Sequence, residues 1–192
     1  MTSSAPALPT PPPGLHLGLA AAAVATGGIV LGAFLPATRP FFRDRRVIDV
    51  GRREAIYHLA VRIPLATAIA EELTFRGALL GLARRRSPAA AVGWMSLLFG
   101  ASHALPTLQH YEGNPASGLV ADPRKGRWVA VLVATLSTAG AGCLFAWLRL
   151  RSRSLLAPIL AHAASNASAY LAGRWVVRHT SQDPAERTAG CT

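Results

Sequence analysis

The sequence predicts an all-α protein, a polytopic transmembrane helical bundle of about five spanning helices. Three observations lead there. Hydrophobic residues make up 51% of the 192-residue chain and charged residues only 15%, against about 25% charge in a soluble domain. Mean hydropathy is +0.31. Finally, the basic residues fall between apolar runs: Arg43, Arg45, Arg46, Arg52 and Arg53, then Arg84, Arg85 and Arg86, then Arg149, Arg151 and Arg153. Cations flanking apolar helices are what headgroup contact and snorkelling produce. The net charge of +11 would otherwise suggest a nucleic-acid partner. Its distribution excludes that class, and the expected surroundings are a lipid bilayer in a multi-pass cell-membrane protein.

Taken in order, residues 1–13 are a proline-rich, disordered tail with no basic stretch of the kind that opens a cleaved signal peptide. Residues 14–55 hold a first transmembrane helix, about Gly14 to Leu35, and an arginine-rich connection. About 20 apolar residues suffice to span. A second helix is expected from Glu54 to Ala83, interrupted by Pro64, and a third over "SPAAAVGWMSLLFGASHAL". Turn signals in "GNP" and "DPRKG" predict a loop from Pro106 to Arg127. A fourth span, Trp128 to Leu148, is rich in small residues that let helix backbones approach closely. The fifth runs from about Ser154 to Ala172, and residues 174–192 read as a polar tail. Cys143 and Cys191 make no disulfide framework and no metal pair.

Ionisable groups within such spans are costly and mark a partner or a function. The second helix carries Glu71, Glu72 and Arg76, the third Phe99 and His103, and the fifth His162 and Asn166. Glu72 precedes Arg76 by one helical turn, the favourable order for an ion pair, so these two are expected to neutralise each other. Glu71 is left on a neighbouring face without a partner in its own helix. His162 and Asn166 share one face. His58 and Arg62 are expected to snorkel. If the "RRRSP" and "RLRSR" turns share one side, Glu71, His103, His162 and Asn166 lie at nearly one depth, ~20 Å from it.

With these residues in hand, "EELTFR", "FGASH" and "HAASN" fit the patterns E-E-x-x-x-R, F-x-x-x-H and H-x-x-x-N in that order. The chain thereby resembles the CPBP (Abi) intramembrane proteases, relatives of the CAAX-motif type II prenyl endopeptidase. The resemblance covers a core of residues 56–173. It implies an intramembrane endopeptidase acting on a peptide or protein at the membrane. Glu71 would be the general base, His103 would hold the water, and His162 and Asn166 would steady the oxyanion, with Glu72, Arg76 and Phe99 in support.

Several alternatives stand beside this reading. Glu71, His103 and His162 could hold a catalytic zinc ion, although there is no H-E-x-x-H to fix ligands on one helix; no cofactor is the expectation, zinc the alternative. "GASH" faintly resembles a rhomboid serine-protease motif, with Ser102 as nucleophile, but that would leave both glutamates idle. A non-catalytic membrane chaperone or bacteriocin-immunity protein would use the polar cluster only as glue. Lys125 is the only lysine, and alanine is abundant. That usage points to a GC-rich bacterial genome, so prenylated substrates are not expected. The distribution of Lys and Arg among the loops favours an external N-terminus.

Overall fold

The computed structural model describes residues 10–44, 47, 50–85, 87–113 and 120–180, and among these there is helix and no strand. Helix α1 is Leu15–Phe34. Its start is set by Gly14, whose φ of 85° is left-handed and is tolerated because glycine has no Cβ. At its end Thr38 Oγ1 donates to the Gly32 carbonyl and Arg39 Nη2 to that of Phe34, covering acceptors that the helix leaves open.

Helix α2 occupies residues 52–83 without a break. The expected interruption at Pro64 does not occur. Instead the coil widens to π-type turns over His58–Ile69 and again over Leu73–Leu79. Proline has no N–H and its ring crowds the carbonyl one α-turn back; a wider turn accommodates both. Glu71 and Glu72 lie on the short α segment Ala70–Glu72 between the two widened stretches.

Helix α3 is Pro88–Ser102, with Pro88 in its first turn and Ser87 Oγ accepting from the Ala90 amide, the cap chemistry expected at such a start. It stops at His103, and α4, Ala104–Gln109, follows. The loop expected over 106–127 is therefore helical at both ends. Helix α5, Pro123–Ser152, begins earlier than expected because Asp122 caps the amides of Arg124 and Lys125.

Helix α6, Leu156–Thr180, takes in the first residues of the segment expected to be polar tail, whose positions 181–192 lie outside the described residues. Packing explains the added turns. Val176 is fully buried against Ala33 and Ala172, and Arg174 Nη1 donates to the Val50 carbonyl at 2.8 Å.

Contacts give the direction of every long helix. A Cβ on Gly18 would meet Ala157, Thr26 bonds Ser168, and Ala33 packs on Val176, so α1 and α6 run parallel. His58 lies against Tyr170 and Glu72 against His162, so α2 and α6 are antiparallel. Phe75 meets Phe99 and Leu80 packs with Ala91, which sets α3 against α2. Gly100 approaches Thr135 and Ala91 packs with Ala146, which sets α5 against α3. Successive long helices thus alternate in direction. Of these, α1 and α5 are long and apolar enough to cross a membrane.

Several charged and polar side chains lie inside the bundle while large apolar ones stand on its surface. Glu72, Arg76, Ser96, His162 and Arg174 are buried, while Val24, Trp94, Trp128, Leu132 and Leu136 are exposed. An apolar exterior around a core that also holds a charged cluster suits hydrocarbon as the outer solvent.

Candidate active site

Three helices build the polar centre. Glu72 on α2 is 0% exposed, Arg76 3% and His162 on α6 4%. Arg76 Nη1 donates to Glu72 Oε1 at 2.9 Å, one turn apart on the same helix. Its other terminal nitrogen donates to the Gly142 carbonyl of α5 at 3.2 Å. The guanidinium lies 4.1 Å from the centre of the Phe99 ring and 5.2 Å from that of Phe145. Arginine has a flat, delocalised head able to bond in its plane and stack on its faces, and this site uses both.

His162 completes the cluster. Its Nδ1 lies 2.9 Å from Glu72 Oε1. The carboxylate can only accept, so Nδ1 carries the proton and Nε2 is the nitrogen left for other work. Phe145 stacks on the imidazole, with 4.9 Å between ring centres and 20° between planes, and Phe99 meets it edge-on at 6.0 Å. The ring is thereby fixed in position and in rotation.

Glu71 sits beside this cluster. Its Oε2 is 3.8 Å from His162 Nε2, and its side chain is 30% exposed. That oxygen is buried with no hydrogen-bond partner, as is Glu72 Oε2. A separation of 3.8 Å is too long for a direct hydrogen bond. Two acceptors at this distance can share one donor placed between them.

His103 is positioned differently. It follows the last residue of α3 with φ −89° and ψ −7°. Its Nδ1 lies 2.8 Å from the Phe99 carbonyl, and its ring is 5.0 Å from the Phe99 ring. It contacts the aromatic wall rather than either glutamate. Ser102 Oγ donates to the Phe99 carbonyl at 2.7 Å and neighbours His103, not His162; the serine-nucleophile alternative has no histidine from α6 to draw on. Asn166 lies one turn beyond His162 on α6, half-buried. It makes no side-chain hydrogen bond among the described residues.

Of the residues that the sequence singled out, the structure joins Glu71, Glu72, Arg76, Phe99 and His162, and the imidazole beside Glu71 is that of His162. His58 and Arg62 contact each other at 3.4 Å, and His58 reaches Glu54 at 3.8 Å, outside this centre. Sequence reasoning missed Gly142 and Phe145. Phe145 had no motif to flag it. Gly142 had a faint signal in "AGAG": a Cβ there would come within 3.1 Å of Ser96 Cα and 3.3 Å of Arg76 Nη2.

Residues 54–168 match the family model described as type II CAAX prenyl endopeptidase Rce1-like. The chain belongs to this Rce1-like family. The match takes in every residue of the polar centre, from Glu71 on α2 to His162 on α6, as well as Asn166, and leaves α1 outside. Rce1-like proteins are proteases embedded in membranes, which accords with the large apolar side chains on the outside of the bundle. No curated protein and no solved structure matches the chain.

Proposed function

We propose that this Rce1-like chain is an endopeptidase that crosses the membrane five times and hydrolyses peptide bonds with a water activated by Glu71. The alternating directions of α1, α2, α3, α5 and α6 support five crossings. The observation that carries the chemistry is the pair of acceptors, Glu71 Oε2 and His162 Nε2, 3.8 Å apart with that carboxylate oxygen buried and unbonded. A water donating one O–H to each would be held with a free lone pair toward a bound peptide carbonyl.

In the first step Glu71 takes a proton from this water, the oxygen bonds to the carbonyl carbon, and the carbonyl electron pair moves onto its oxygen. Asn166, one turn from His162 on the same face of α6, is suited to donate its amide N–H to that oxyanion. In the second step the oxyanion reforms the carbonyl and the C–N bond breaks. The proton held by Glu71 passes directly to the departing amine. Glu72 and Arg76 touch none of the reacting atoms; they hold His162 Nδ1 and so aim Nε2.

Zinc fits the geometry poorly. Among the described residues, no group of three His, Cys, Asp or Glu side chains converges closely enough to hold an ion. Of the three expected ligands, Glu71 and His162 are 3.8 Å apart, whereas His103 lies against Phe99.

The substrate is a peptide or protein segment at the membrane, and the arginine-rich, lysine-poor sequence favours a bacterial one without a prenyl group. Terminal proteomics of membranes carrying the wild type or Glu71→Gln tests the reading. New C-termini present only with the wild type are expected. Identical sets of termini in the two membranes would overturn it.

A further inference from the structure

We propose that the arginine-lined cavity where the end of α2 meets the end of α5 binds a phosphate group, carried by a phospholipid headgroup or by a free anion. The cavity has a volume of about 320 Å³ and is lined by Arg84, Arg149, Leu150 and Arg153. No carboxylate is among the lining residues, and among the described residues none of these arginines forms an ion pair. A smaller cavity shares Arg84, Arg149 and Leu150 with it and is also lined by Leu80, Gly81 and Arg76 of the polar centre.

Cations near helix C-termini are favourable in their own right, which would account for each arginine singly. Two observations go beyond that. The Arg149 side chain has its Nε buried and without a hydrogen-bond partner, so a donor that has lost water faces no acceptor of the protein. Arg153 has φ of 55°, the only positive value at a non-glycine among the described residues. Glycine is the residue of least strain at such a helix end. Arginine there retains a side chain that then lines the cavity. Guanidinium groups offer paired donors matched to phosphate oxygens. A turn flanked by apolar helices lies at the depth where headgroup phosphates reside.

Thermal melting of the purified protein in a neutral detergent tests this, with inorganic phosphate in one arm and phosphatidylglycerol mixed into the micelles in the other. Ionic strength is matched with chloride. The expected result is a rise in Tm of several degrees that is lost in Arg84→Gln/Arg153→Gln, whose side chains are exposed and removable without opening the core. The rise should persist in Arg52→Gln/Arg53→Gln, at the far end of α2. A rise with inorganic phosphate assigns the site to free anions; a rise with phosphatidylglycerol alone assigns it to a headgroup. An equal rise in the Arg84/Arg153 variant, its loss in the Arg52/Arg53 variant, or no rise with either anion overturns the proposal.

Discussion

Glu72 and His162, ninety positions apart, share a 2.9 Å hydrogen bond that is wholly buried, and the same carboxylate oxygen accepts from Arg76. One oxygen therefore ties α2 to α6 and, through the guanidinium and the Gly142 carbonyl, to α5. Glu71 is chemically identical and one residue away, but lies about 100° around the helix and has no such commitments. The two neighbours should fail in different ways.

For Glu71→Gln, peptide cleavage in detergent is expected to fall by ~10²–10⁴-fold, the usual cost of losing positioned acid/base catalysis. Melting should barely change, since Glu71 makes no bond shorter than 3.8 Å to His162. Glu72→Gln leaves Arg76 buried without its counter-charge, which costs about 3–5 kcal/mol. Its first symptom should be lost yield or a lower Tm. A stable but inactive Glu72→Gln beside a fully active Glu71→Gln would reverse the assignment.

Arg76→Lys keeps the charge and discards the shape. A lysine is a compact point charge and cannot bond Glu72 and Gly142 while lying flat on Phe99. Destabilisation of ~1–3 kcal/mol is expected, from the weakened charged hydrogen bond and the lost ring contact. Unchanged melting for Arg76→Lys would show that the planar head is not needed.

Glycines on α3 and α5 provide a comparison with its own control. A Cβ at Gly100 would run into the Thr135 carbonyl and come within 2.9 Å of Ala139. Forced overpacking of this kind typically costs 1–3 kcal/mol, so Gly100→Ala should melt lower by about that much. Nothing lies within 4 Å of a Cβ at Gly93 or Gly140 on the same two helices. Gly93→Ala and Gly140→Ala should be neutral or gain roughly 0.5–1 kcal/mol from helix propensity. Equal effects at all three positions would mean that α3 and α5 do not approach as closely as described.

Metal removal addresses the mechanism directly. Exhaustive dialysis against a strong chelator is expected to leave cleavage unchanged. Stoichiometric zinc in the purified protein, with activity lost on chelation and restored by zinc, would instead establish a metalloprotease.

The sequence by itself determined the helical class, the family, and the Glu72–Arg76 pair. These follow from local spacing: apolar run length, basic residues between the runs, and two opposite charges one turn apart on one helix. It also flagged Glu71 and His162 as ionisable groups with no local partner. Only the tertiary structure decided what such groups meet. It carried α2 through Pro64 on widened turns, extended α6 to Thr180 over a buried Val176, and seated Phe145 and Gly142 against His162 and Arg76. It also put His162 beside Glu71. Those outcomes depend on how helices rotate and how closely they approach, and a shift of one residue turns a side chain by about 100°. No spacing within a single helix encodes the angle at which its neighbour packs.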